Sequence, residues 1–175
     1  MHSRTGIPEQ VGAALEVNYG APTEPDFGPL ARDLIPVRTM REDDLRAIIA
    51  IDRRITRRDR SDYFEHMLAD ALHQSDVRVS LVAERDGMVV GFIMARVDFG
   101  EFGRLDPIAV MDTIGVDPDQ RGAGVARALL SQLLMNLATL RVEQIRTEID
   151  WRDLDLLGFL EKSGFHPSQQ LCFER

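Results

Sequence analysis

The stretch Ile114-Gly-Val-Asp-Pro-Asp-Gln-Arg-Gly-Ala-Gly-Val-Ala-Arg-Ala-Leu-Leu130 constrains this chain more than any other part of it. It reads as a strand ending at Val116, a turn at Asp117-Pro118-Asp119, and a loop of small residues that opens directly into an amphipathic helix. Gly122, Ala123 and Gly124 leave the backbone bare, so that several N–H groups can converge on one anion. The first N–H groups of the helix have no partner inside it and sit at the positive end of its dipole. A strand, a bare loop and a helix N-terminus in that order form a pyrophosphate cradle. Spacing excludes the two commonest kinds. A dinucleotide fingerprint needs a small residue where Arg127 stands, and the chain has no Gly-Lys-Ser/Thr triplet for a P-loop.

The spacing that does fit is Arg121-x-x-Gly124-x-Ala126. It matches the Q/R-x-x-G-x-G/A signature of the GNAT superfamily of acyl-CoA-dependent N-acyltransferases, and the chain resembles that family from about Ile35 to the C-terminus. The resemblance implies an α/β (α+β) fold, a mixed and mostly antiparallel sheet of about six to seven strands flanked by helices. In that fold the fourth and fifth strands run parallel but splay apart. It further implies that Ile114 and Val116 offer main-chain groups to the pantetheine arm and acetyl carbonyl of acetyl-CoA. Arg121, Gly122, Ala123, Gly124, Val125 and Ala126 would hold its pyrophosphate.

The rest of the chain reads as one domain with an N-terminal extension. Residues 1–34 carry Pro8, Pro22, Pro25 and Pro29 among several glycines, with one short apolar patch at Val11–Val17. They form an extension that is flexible or packs on a partner, a homodimer being one option. From Ile35 to Arg175 the expected order is a short strand at Ile35–Thr39, a helix from Arg41–Asp44 onward, and a second helix from Ser61, its N-cap, to about His73. Tyr63 or Phe64, Met67, Leu68 and Leu72 would face inward on that second helix. A hairpin follows, Arg78–Arg85 and Met88–Val97 around Asp86-Gly87. After the loop Asp98–Pro107 comes a strand at Ile108–Val116, then the helix after the cradle, with Val125, Leu129, Leu133, Leu137 and Leu140 on one face. A fifth strand at Glu143–Trp151, a helix at Asp153–Ser163 closed by Gly164, and a final strand at Leu171–Glu174 complete the order.

Acyl transfer to an amine needs a base for the amine proton and a source of a proton for the departing thiolate. Strict alternation along the fourth strand would put Asp112 on one face with Ile114 and Val116, and Met111, Thr113 and Gly115 on the other. Asp112 is a lone acid in an apolar run, which is costly unless it is paired or functional. It is the first candidate base, and the plainer alternative is a structural acid paired with an arginine. Glu148, on the fifth strand with Arg146 and Asp150, is the second, with a salt bridge to Arg146 as its plainer role. Many GNAT members carry a tyrosine in Tyr-x-x-x-Gly-Phe. Here that run is Leu160-Glu-Lys-Ser-Gly-Phe165, and Leu160 cannot donate a proton, which leaves Ser163, a water or unassisted departure.

Other side chains are weaker signals. Cys172 reads as a small buried residue, because direct transfer needs no nucleophile. The arginines from Arg53 to Arg60 read as a solvated face balancing Asp59 and Asp62, or as an attractor for phosphates or an acidic acceptor. His66 and His73 lack a third ligand, and no metal is expected. Trp151 would fill the core or line the acceptor cleft. A net charge of −8 argues against nucleic acid as a partner. The single cysteine excludes an internal disulfide, and no apolar run approaches the ~20 residues of a membrane span. The expectation is a cytoplasmic N-acetyltransferase moving acetyl from acetyl-CoA to a primary amine. The alternative from another class is a catalytically silent acyl-CoA-binding sensor or interaction module.

Overall fold

The computed structural model describes residues 35–73, 77–99 and 107–169, with only the backbone over 68–73. The extension at 1–34, most of the Asp98–Pro107 loop, the final strand at Leu171–Glu174, Cys172, and the side chains of Leu68, Leu72 and His73 therefore lie outside the described residues. The order is β1 (Val37–Thr39), α1 (Leu45–Thr56), α2 (Ser61–His73), β2 (Arg78–Arg85), β3 (Met88–Asp98), β4 (Ile108–Val116), α3 (Val125–Thr139), β5 (Gln144–Arg146) and α4 (Leu154–Lys162). These strands form one sheet in chain order, antiparallel throughout except that β4 and β5 are parallel. A parallel pair needs a crossover, and α3 supplies it.

Helix α3 covers one face of the sheet. Val125, Leu129, Leu133 and Leu137 recur at helical spacing and pack with Val79, Leu81, Ile93, Ala95, Met111 and Leu160 in the larger core. Each such leucine contributes roughly 1.5–3 kcal/mol by leaving water. The stripe stops at Leu137: Leu140 is 42% exposed, because the helix ends at Thr139 and Leu140 already caps it. Helices α1 and α2 cover the other face through a smaller core of Ile48, Ile51, Phe64, Val82, Phe92 and Met94. The choice between Tyr63 and Phe64 falls on Phe64, fully buried and edge-on to the Phe92 ring. Ser61 is the first residue of α2 rather than its cap, and Asp59 Oδ1 accepts its N–H at 3.1 Å. Two ion pairs brace this thinner face. Arg38 grips Asp44 with both terminal nitrogens, at 2.7 and 2.8 Å, and Arg60 pairs with the buried Asp52.

Two departures from regular strand geometry shape the site. In the β3–β4 register Met94 faces Thr113 and Ala95 faces Met111, so Asp112 is an extra residue without a partner, a β-bulge. The bulge overturns the strict alternation expected along β4. Met111 joins the larger core on the same face as Ile114 and Val116, while Gly115 faces the smaller core. Any side chain at Gly115 would meet Phe92 Cε1 at 2.6 Å. The second departure is in β5, which spans Gln144–Arg146 rather than the expected Glu143–Trp151. Pairing with β4 runs from Ile108↔Gln144 to Val110↔Arg146 and then stops, because the strands diverge. A last link joins them beyond the ladder, from Thr147 Oγ1 to the Met111 carbonyl at 3.0 Å.

Candidate active site

Where β4 and β5 part, a cleft opens that is lined by Met111, Asp112, Thr113 and Ile114 from one strand and by Thr147, Glu148, Ile149 and Asp150 from the other, with Leu156 of α4 behind. Both sequence-derived base candidates thus face one space. The bulge presents Asp112, whose side chain is 11% exposed, and Arg96 of β3 pairs with its Oδ1. Its Oδ2 is buried and has no hydrogen-bond partner among the described residues. An orphaned carboxylate oxygen is expensive in a folded protein unless something arrives to bond it. The pairing with an arginine and the functional role therefore coexist, one on each oxygen. Sequence alone did not identify Arg96, since only the antiparallel register brings it across from the bulge.

Glu148 is exposed and makes no ion pair with Arg146. Asp150 is taken up by Arg152, whose guanidinium holds its pKa down at about 2. Trp151, 78% exposed in the turn beyond Asp150, fills no core. At the expected tyrosine position Leu160 is buried in the larger core. Ser163 offers no substitute, because its hydroxyl donates to the Phe159 carbonyl at 2.8 Å. Gly164 and Phe165 close α4 with N–H bonds of 3.0 Å to the Glu161 and Leu160 carbonyls. Their value is anchorage.

From the cleft, β4 runs straight into the cradle through a relay of backbone bonds. Asp117 N–H donates to the Val90 carbonyl at 2.9 Å, Gln120 N–H to Asp117 at 2.8 Å, and Ala123 N–H to Gln120 at 3.3 Å. Gly122 and Gly124 adopt φ of 76° and 85°, a region L side chains rarely enter, and this turns the chain into α3. The first bond of α3 runs from Ala128 N–H to the Gly124 carbonyl. The N–H groups of Gly122, Gly124, Val125, Ala126 and Arg127 accordingly make no bond within the described residues. Those of Arg121 and Ala123 are spent inside the turn. Five donors, three of them on a helix's first turn, define a seat for an anion.

The arginine-rich segment from the last turn of α1 to Arg60 is mostly engaged. Arg53 reaches Asp59, Arg60 reaches Asp52, and Arg54 reaches both Asp117 and Asp119 in the turn before the cradle. Those two carboxylates, Asp119 foremost, raise the Arg54 pKa above its ordinary value. Among the described residues no group of three or more His, Cys, Asp or Glu side chains could hold a metal ion. No helix among them is long and apolar enough to cross a membrane.

The model of the acetyltransferase (GNAT) family matches residues 45–165. A mycothiol acetyltransferase of Thermobispora bispora is 33% identical over 84 residues, 48% of this chain and 28% of that protein. One from Propionibacterium freudenreichii subsp. shermanii is 29% identical over 137 residues, 71% of this chain and 41% of that protein. The chain thus spans less than half the length of these curated relatives. Among solved structures, the aminoglycoside N-acetyltransferase AAC(6')-Iy in complex with CoA superposes with a TM-score of 0.69 at 18% identity, over 81% of this chain and 93% of that one. A ribosomal-protein-alanine N-acetyltransferase from Brucella melitensis biovar Abortus 2308 gives 0.66 at 21% identity, over 81% and 98%. At these identities the structures speak for the fold, and the family match covers most of the chain. This chain belongs to the acetyltransferase (GNAT) family.

Proposed function

We propose that the protein is a cytoplasmic N-acetyltransferase that moves an acetyl group from acetyl-CoA to a primary amine by direct attack, without a metal. The observation that carries this reading is the cleft between β4 and β5, which holds the orphaned Asp112 Oδ2 and leads along one strand into a seat of unpaired N–H groups. That arrangement fits a ligand with an anionic end and a reactive end. The pyrophosphate of coenzyme A would take the N–H groups of Gly122, Gly124, Val125 and Ala126, with Arg121 and Ala123 shaping the turn. Main-chain groups of Ile114 and Val116 would hold the thioester arm.

The chemistry assigned to the cleft is short. The amine nitrogen forms a bond to the thioester carbon, the C–S bond breaks, and the amine proton passes to Asp112 Oδ2. Arg96 keeps the carboxylate oriented for that step. The thiolate leaves unassisted or takes a proton from water, since Leu160 and Ser163 are both committed elsewhere. Glu148, exposed across the cleft, is the second candidate base. Its carboxylate also suits the ammonium form of an acceptor before deprotonation.

Leu160 favours a second reading, a silent acyl-CoA-binding module. Turnover separates the two. Thiol release from acetyl-CoA would be followed over a panel of amines that includes an aminoglycoside, a cysteine-bearing amino sugar and a peptide with an N-terminal alanine. Amine-dependent release is expected with at least one class. Tight coenzyme A binding with no release for any amine would select the silent module.

A further inference from the structure

The lip of the cradle carries the wrong charge for its task. Asp117 and Asp119 stand in the turn that leads into it, within a few residues of the N–H groups that would face a pyrophosphate. Asp117 has a local duty, since its Oδ1 accepts the Asp119 N–H at 2.9 Å and so caps the turn. Two carboxylates beside an anion seat repel the anion, and because the loop is exposed that repulsion is felt most at low ionic strength. Arg54 of α1, sixty-odd residues away in sequence, answers both. Its Nη1 donates to Asp117 Oδ1 at 2.6 Å and its Nη2 to Asp119 Oδ2 at 2.8 Å. One planar fork therefore spans two acids, which a lysine could not reproduce. On the opposite side Arg85 of β2 donates to Gln120 Oε1 at 2.8 Å, fixing the next residue of the same turn.

We propose that Arg54 is a positioning residue for acyl-CoA recognition, neutralising Asp117 and Asp119 and holding the turn so that the cradle presents its N–H groups to the pyrophosphate. The proposal rests on the reading that the cradle binds coenzyme A. Arg54 is itself half-exposed, and surface pairs of this kind contribute little to folding. Its effect therefore falls on binding more than on stability.

The test is calorimetric titration of coenzyme A into wild type, Arg54→Gln and Arg54→Gln/Asp119→Asn, at low and high salt, with acetyl-CoA kinetics alongside. Arg54→Gln is expected to fold and to weaken coenzyme A binding about tenfold at low ionic strength, less at high salt where charges are screened. KM for acetyl-CoA should rise in step, while kcat at saturation changes by less than about twofold. The double variant should recover part of the lost affinity, because it removes the more exposed of the two acids that the loss of Arg54 leaves uncompensated. Unchanged binding in Arg54→Gln overturns the proposal, as does a double variant no better than the single one, which would make the loss structural. Failure of wild type to bind coenzyme A would instead remove the reading beneath it.

Discussion

Two parts of β4 offer different means of recognition. At its C-terminal end the strand runs into a cradle made of backbone: left-handed glycines, unpaired N–H groups and a helix dipole. At its middle a bulge lifts a side chain, Asp112, into a cleft whose other wall comes from a strand that has stopped pairing. Backbone recognition depends on conformation, so it leaves a spacing of small residues that can be read directly. Side-chain recognition depends on what lies across the cleft, and that is set by register and divergence between distant segments. A backbone seat serves an invariant ligand, and a side-chain cleft can be adapted to a variable one.

If the two parts are separable, substitutions should split binding from turnover. The largest effect is expected from Asp112→Asn, which keeps the shape of the bulge but removes the proposed base. Turnover should fall by roughly 10²-fold, with coenzyme A affinity spared. Steady-state kinetics and titration together check this, and near-normal turnover would move the base to Glu148. Gly124→Glu attacks the other end. It places a carboxylate where the pyrophosphate would sit and forces a glutamate to φ near 85°, and affinity for acetyl-CoA should drop at least tenfold, about 1.4 kcal/mol.

A third substitution asks whether the missing tyrosine could be restored. Leu160→Tyr inserts a larger, polar side chain into the packed α3 face and should cost about 1–3 kcal/mol in stability. Denaturant unfolding and rate measurements are expected to show a less stable enzyme that is no faster. A faster enzyme would mean that the hydroxyl reaches the cleft. The smallest effect concerns the thinner face. Asp44 is held below the ordinary carboxylate range, chiefly by Arg38 and then by the Arg41 N–H. A depressed carboxylate stabilises the fold above its unfolded pKa and loses that contribution as pH falls through the folded one. Asp44→Asn should therefore cost about 1–2 kcal/mol at pH 7, and the gap from wild type should close in acid below about pH 4. A gap that stays constant with pH would show packing, not charge, at Asp44.

Much of this was legible beforehand, for local reasons. The Asp86-Gly87 hairpin, the bounds of α2 and β4, and the cradle all rest on residues close in sequence. The errors have a common cause. Alternation along β4 fails at Asp112 because a bulge is a property of two strands, and β5 is shorter than its apolar pattern because its partner turns away. Leu140 keeps the helical spacing but falls where the backbone has already left the helix. Arg96, the cation that answers Asp112, carries no local mark at all, and the run from Arg53 to Arg60 marks Arg54 as one of a charged cluster without pointing to Asp117 and Asp119. Each meets its partner only through tertiary geometry.

The most direct measurement is a calorimetric titration of coenzyme A into wild type, Gly124→Glu and Asp112→Asn under one set of conditions. The expected result is a single saturable site in wild type, affinity at least tenfold weaker in Gly124→Glu, and wild-type affinity in Asp112→Asn. Equal affinity in wild type and a folded Gly124→Glu would contradict the assignment of the cradle, and with it the division of labour along β4.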